Sequence, residues 1–433
     1  MTFTYVVHRT RAYAAGLMMG LPIMALSNSG AQGPLTLADV YRIAASTSRV
    51  SAATALASAA EARVASARRP SDPELQLGLM NRSLPSFAPM DPLGMTQIQL
   101  MQMIPVAGKP GIAGRIASEN AAAAQSRALD VRWDVRARAA MHFYDLYAAD
   151  SQLGIARQIK RLVQDIAKLA QTMYAVGDAK QADVLRAQVE IARMTEDITR
   201  MESMRAGMIA RLAATLNVDA SGIGSVIPPP ALPDTLPPLE VLAAEAERSR
   251  PMIAAGARDV RAAEAGQKLA AREIWPDLQI GLQYAWRAGE MGTERMGSVM
   301  IGAAIPVYAR SRQLRMRNEA AAMKAMAVSE LANMRAETRG RMGELYADYT
   351  RARNLRALYR TTILPQADAT VTSSFAAYRV GDVNLMTLLE NQMTVNRYRQ
   401  EVVALDAAQG KAIAEMEMLL GRELFDVSAR IAQ

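Results

Sequence analysis

Hydrophobic positions along this chain change period twice, and then repeat the same changes in the same order. Residues 37–67 carry apolar side chains at helical spacing, after which Pro73 favours an extended start. Leu75, Leu77 and Leu79 then alternate with Gln76 and Gly78, the period of a half-buried strand. A Pro/Gly-rich turn at 85–94 leads into TQIQLMQMI, where Ile98, Leu100 and Ile104 share a face, although Gln102 breaks the alternation. Pro105 ends that strand, and helical spacing resumes over 112–172 and again over 181–216. The second pass reads the same way. A helix is expected over 239–273, and Pro276 opens a strand with Leu278, Ile280, Leu282, Tyr284 and Trp286 on one side. A turn at 288–295 precedes the return strand SVMIGAAI, Pro306 closes it, and helices follow over 313–377 and 385–420.

The residues repeat along with the periods. LTLADVYRIAASTSRVSAA from Leu35 resembles PPLEVLAAEAERSRPMIAA from Pro237, and PELQLGL at Pro73 matches PDLQIGL at Pro276. IPVAGK at Ile104 matches IPVYAR at Ile305, and Tyr-Ala-Val-Gly-Asp at Tyr174 matches Tyr-Arg-Val-Gly-Asp at Tyr378. The four offsets are 202, 203, 201 and 204 residues, so the order is kept with only small insertions, as an internal duplication requires. The expected organisation is an export signal over 1–31, a first repeat over 32–220, a linker over 221–238, a second repeat over 239–420 and a tail over 421–433. The β-hairpins fall at 73–106 and 276–307, and the helical hairpins reverse near 177 and 381. SVIPPPALPDTLPP makes the linker extended and keeps it on the surface.

The outgoing segments 112–172 and 313–377 each span about 90 Å at 1.5 Å per residue, the length of a coiled coil or helical tube rather than an ordinary globular element. Ala121–Ala124 and Ala320–Ala322 permit close helix approach. Two hairpins provide only four strands. Four strands cannot close a useful barrel, and open edges cannot sit in hydrocarbon. If the strands enter a membrane, several copies must complete the wall, and three would supply twelve strands. The Leu/Ile/Tyr/Trp series would then face lipid and the Gln/Ser/Gly series the lumen. A soluble sheet with one face on a core satisfies the same alternation.

Other features narrow the class. Arg9 and Arg11 precede the apolar run AAGLMMGLPIMAL, and Ser29-Gly30-Ala31 supplies small residues for cleavage, the order of an export signal. The charge of +8 falls to 8 − 2 = +6 without those arginines, and it forms no basic block or aromatic–basic surface for nucleic acid. There is no cysteine, hence no disulfide or thiol-borne lipid anchor. His142 stands three residues from Asp145 without a nucleophile or a full metal-ligand set, and no phosphate-loop spacing occurs; neither an enzyme nor a resident cofactor is expected. Thioethers among the 28 methionines can bind Cu(I); Met101 and Met103 share the inferred lumenal parity. Met194, Met201, Met204 and Met208 recur at helical spacing and are expected to pack.

In the repeated Tyr-x-Val-Gly-Asp motif, Gly177 and Gly381 sit where antiparallel helices reverse. Asp178 and Asp382 are expected to cap the returning helices, and Tyr174 and Tyr378 to pack the turns. Just beyond, Asp183 and Arg186 correspond to Thr387 and Glu390 in the second copy. Three copies could arrange Asp183, Arg186 and Glu390 as rings that narrow an entrance. Lys109 and Arg310 follow the strands and are expected near lipid headgroups.

The duplicated plan, the LTLADV opening, the IPVAGKPG and IPVYARSR junctions and the two Tyr-x-Val-Gly-Asp turns resemble the TolC-like outer-membrane factor efflux family, and within it the heavy-metal CzcC/CusC-like branch. The resemblance covers about residues 35–420. It implies a mainly α fold whose duplicated long-helix hairpins form a trimeric α-helical barrel, with four β-strands per chain contributing to a 12-stranded outer-membrane β-barrel. It implies a homotrimer in outer-membrane lipid, a periplasmic adaptor (membrane fusion) protein at the tips and a resistance-nodulation-division inner-membrane pump. The expected function is passive conduction, with heavy-metal cations favoured and drugs or other small molecules as the alternative. In this family constricting charges follow the second-copy turn, where Glu390 is the nearest match and Thr387 departs from an acid. A periplasmic coiled-coil scaffold without a pore is the competing expectation.

Overall fold

The computed structural model describes residues 34–90, 94–229, 232–289 and 292–424. The segment expected as an export signal, parts of both β-turns, two linker residues and most of the C-terminal tail lie outside the described residues.

Two short helices open the first repeat, α1 (Leu37–Ala44) and α2 (Ser48–Ala67). Thr36 starts α1 as a capping box: its hydroxyl accepts the Asp39 N–H at 3.1 Å while the Asp39 carboxylate reaches back to the Thr36 N–H. The corresponding pair in the second repeat is α5 (Leu239–Ser249) and α6 (Pro251–Arg272). The single helix expected over 239–273 therefore breaks, because Pro251 disfavours helical backbone at Arg250 and is itself suited to a first helical turn.

Strands β1 (Glu74–Met80), β2 (Met95–Ile104), β3 (Leu278–Gly289) and β4 (Gly292–Ala303) form one antiparallel sheet in sequence order. The two hairpins join along β2 and β3, with Ile104 opposite Leu278 and Leu100 opposite Leu282. Gln102 stays in register opposite Ile280, so one polar residue is tolerated within the apolar parity.

Helix α3 (Lys109–Val176) leaves the sheet and runs unbroken for 68 residues, about 100 Å. Helix α4 (Gln181–Leu216) runs back from its far end. The second repeat differs here. Helix α7 (Gln313–Leu358) passes through a π-helical turn at Tyr359–Ile363 into α8 (Leu364–Arg379), and α9 (Leu385–Leu420) returns. Pro365 explains the interruption, since it has no N–H to donate and its ring crowds the carbonyl four residues earlier. Arg356 and Arg360 hold Asp406 of α9 at 2.5 and 2.8 Å across this turn.

Small residues let the rods approach, as expected for Ala121, which is buried with Ala123 on α3. Ala321 and Ala322 are exposed in the single chain. Gly410 of α9 is placed so that an added Cβ would lie 2.3 Å from the Tyr144 ring, so a larger residue would push α9 from α3. Phe143, Tyr144, Leu146, Val40 and Leu212 form one core cluster at mid-length, and Leu242, Met342, Tyr349 and Met416 form its second-repeat counterpart. The linker is anchored on both: Val226 enters the first cluster, and the Pro233 carbonyl accepts the Tyr349 hydroxyl at 2.6 Å. Met194 is buried as expected for packing, whereas Met204 is exposed.

Candidate functional site

The site has two ends, the sheet and the helical tips, separated by the length of α3. On the sheet, Leu75, Leu77, Leu79, Ile98, Leu100, Leu282, Tyr284, Val299 and Ile301 share one face, and all of them are solvent-exposed in the single chain. Among the described residues no helix packs on that face. The other face carries Gln76, Gln99, Gln283 and Ser298 as a row straight across all four strands. Gln283 donates to Gln97 on this face. Met101 and Met103 lie on it as well, Met101 opposite Gly281 and Met103 opposite Gln279. Beyond β1 and β4 no strand follows among the described residues, so both outer edges present unpaired backbone groups. An exposed apolar face, a polar opposite face and two open edges are what a portion of a membrane barrel wall requires. No described helix is long and apolar enough to cross a membrane.

Where the sheet meets the rods, the expectation for Lys109 needs correction. Its side chain does not reach toward headgroups; the residue is 6% exposed. The Nζ donates to Asp277 Oδ1 and the Trp275 carbonyl, both at 2.9 Å, and stands 3.5 Å from Glu273 Oε2. Asp277 also accepts the Val106 N–H at 3.2 Å. A lysine at the end of the first hairpin thus ties down the start of the second. Arg310, its counterpart, is exposed. The sequence signal that could have found this knot was the acid after each strand-opening proline, Glu74 and Asp277.

At the tips, Gly177 and Gly381 take φ of +90° and +83°. Asp178 donates its N–H to the Met173 carbonyl at 2.8 Å, and Asp382 donates to Ala377 at 3.0 Å. These bonds close left-handed helix ends that glycine forms without steric cost. The expectation that Asp178 and Asp382 cap the returning helices is corrected: the caps are Lys180, without a side-chain bond, and Asn384, whose Oδ1 accepts the Thr387 N–H at 2.9 Å. The aspartates act through their backbones at the end of the outgoing helix. Asn384, three residues before Thr387, was the overlooked cap signal.

The two tip tyrosines differ. Tyr378 is 4% exposed among Ile166, Ala187, Leu385 and Leu388, whereas Tyr174 is 46% exposed and packs its turn only partly. Burial pushes the Tyr378 phenol above its ordinary range, and the nearby Asp183 charge adds to this. Arg186, Thr387 and Glu390 are exposed and Asp183 is half-buried. Among the described residues, no ion pair within the chain joins Asp183, Arg186 and Glu390. The Thr387 hydroxyl is held by Asn384 at 3.1 Å.

Asp145 is bound by Lys411 at 2.7 Å, so it is not a dedicated partner of His142. Among the described residues no group of three or more His, Cys, Asp or Glu is placed to hold a metal ion. A wall segment on a sheet and an approximately 100 Å paired-helix extension define the chain as a membrane-channel subunit. Residues 40–218 and 242–422 match the family described as outer membrane efflux protein, and the chain belongs to that family. It is an outer-membrane channel protein with a periplasmic helical domain, and the family is one of channels rather than catalysts.

Solved structures agree in fold. The outer membrane protein VceC from Vibrio cholerae is 16% identical with a TM-score of 0.75, covering 90% of this chain and 97% of that one. CusC, in structures described as bearing on folding and transmembrane channel formation, is 15% identical with a TM-score of 0.77, covering 89% and 92%. The open-state MtrE outer membrane channel of Neisseria gonorrhoeae is 12% identical with a TM-score of 0.71, covering 90% and 89%. No curated protein matches the chain. The likeness to CusC does not stand out from the others, so the assignment rests at the family and not at a heavy-metal branch.

Proposed function

We propose that three copies of this chain close one twelve-stranded barrel and one helical tunnel, forming the passive exit duct of a three-part efflux system. The carrying observation is the four-stranded sheet with an exposed apolar face and two open edges, joined directly to the 68-residue helix α3. A periplasmic adaptor docks at the tips formed by Tyr174, Gly177, Asp178, Tyr378, Gly381 and Asp382, and an inner-membrane pump of the resistance-nodulation-division type supplies the energy. Asp183, Arg186 and Glu390 constrict the entrance as rings. Their lack of mutual ion pairs within one chain supports pairing between copies, and adaptor binding would break such pairs.

Small molecules, drugs among them, are the cargo this reading favours. The polar face of glutamine, serine and glycine offers a wet passage. Metal-ion cargo is a narrower form of the same reading, supported by Met101 and Met103 on that face. Purified protein in planar bilayers should give discrete single-channel steps, and deletion of the gene should sensitise cells to compounds that the intact system exports. A correctly folded preparation without conductance, together with unchanged sensitivity, would overturn the duct. Equal Cu(I) binding and copper tolerance after Met101→Leu with Met103→Leu would remove the metal reading alone.

A further inference from the structure

The Lys109 knot has a second place to form. Lys109 follows β2 and grips Asp277 at the start of β3, the strand β2 pairs with. In the repeat, Ile104-Pro105-Val106 corresponds to Ile305-Pro306-Val307, which places Arg310 where Lys109 stands. Pro276-Asp277 corresponds to Pro73-Glu74, which places Glu74 where Asp277 stands. Arg310 follows β4 and Glu74 begins β1, and these are the two strands with open edges. Within the described residues neither side chain has an ion-pair or hydrogen-bond partner in its own chain. Both are exposed.

We propose that Arg310 of one copy binds Glu74 of the next, repeating between subunits the tie that Lys109 and Asp277 make within one. This rests on the oligomeric barrel proposed above and specifies its seam. The register follows from the repeat. Ile104 opposes Leu278 in the internal joint, so Ile305 should oppose Leu75 of the next copy. Continuing antiparallel, Ile301 meets Leu79 and Met300 meets Met80. The parity is correct, because Leu75, Leu79 and Ile301 already share the apolar face. A slip of one residue would put apolar side chains into the lumen.

Exposure marks the missing neighbour. Ile104 is 39% exposed beside β3, whereas Ile305 is 76% and Val307 83% exposed beside the open edge. The acids also shift in a compensating way. Glu273 aligns with Pro70 and loses its carboxylate, while Trp275, which offers only its backbone carbonyl to Lys109, aligns with Asp72. The seam thus keeps two acids for one cation. The backbones differ, since Ala107 and Gly108 are left-handed (φ 59° and 74°) and no such residue precedes Arg310. The longer arginine, with its planar fork of donors, suits a looser junction.

The absence of native cysteine makes the seam testable in the full-length protein in its outer membrane. Oxidation of Ile301→Cys with Leu79→Cys, or of Met300→Cys with Met80→Cys, should give a ladder ending at the closed oligomer. Ile301→Cys with Leu77→Cys, slipped by two residues, should crosslink poorly. Separately, Arg310→Glu or Glu74→Arg should make the extracted oligomer dissociate about tenfold faster, and the charge-swapped double variant should recover. Crosslinking from the slipped pair instead would overturn the register. A correct ladder with unchanged dissociation in both single variants would overturn the Arg310–Glu74 tie. Monomer-sized particles with no ladder from any pair would instead overturn the oligomeric barrel.

Discussion

Replacing Lys109 with methionine tests whether the junction is held by a buried cation. Methionine keeps most of the side-chain volume while removing the ammonium from Asp277, Glu273 and the Trp275 carbonyl. Breaking a fully buried pair costs about 3–5 kcal/mol. Here the acid side chains remain 26% and 33% exposed, so water recovers part of that loss. A local cost of about 2–3 kcal/mol follows, equivalent to opening that is about 30- to 150-fold more frequent. Hydrogen exchange on the detergent-extracted oligomer should show it in peptides covering 104–110 and 272–278, with peptides at the tips unchanged. Lys109→Arg should retain most protection. Unchanged exchange in the Lys109→Met protein would refute the reasoning. An effect seen only with anionic lipid would restore the headgroup role expected from the sequence.

Three further outcomes follow. Gly381→Val forces a β-branched residue to φ +83° and should cost the tip about 1–2 kcal/mol, seen as faster proteolysis near 381 and weaker adaptor crosslinking with the barrel intact. Glu390→Lys places like charges at the proposed ring beside Arg186 and should raise the open fraction of single channels; unchanged gating would remove Glu390 from the constriction. His142 is held neutral by burial, so its folded pKa lies below the ordinary value of 6.5. Its contribution to stability is therefore full above about pH 6.5 and is lost as pH falls through the lower folded value. His142→Gln should flatten that part of a stability profile measured by thermal unfolding.

The sequence made much of this architecture legible because period and punctuation agreed. Residues 181–216 and 385–420 emerge as α4 and α9 at those limits, since glycine turns and helical spacing mark both ends. The strands were readable from alternation bounded by prolines. What escaped was long-range or competitive chemistry. Lys109 looked like an exposed basic residue because its acids lie 164 and 168 positions away and meet it only once β2 pairs with β3. Asp178 and Asp382 look like caps by residue type, yet Asn384 stands one step before its helix and takes that role in the second copy. Tyr174 and Tyr378 share a motif but not an environment, because only Tyr378 lies beneath α9 side chains. Pro365 was visible, but the π turn that absorbs it within a continuing rod is flanked by Arg356 and held at Arg360 by ion pairs to Asp406 of α9, 46 or more positions away.

Native mass spectrometry of the protein extracted gently from outer membranes tests the central claim most directly, with the denatured mature chain weighed from the same sample. The proposed twelve-stranded barrel predicts a particle three times the mass of that chain. A predominant single-chain particle, still folded and with its four strands protected, would contradict the shared barrel.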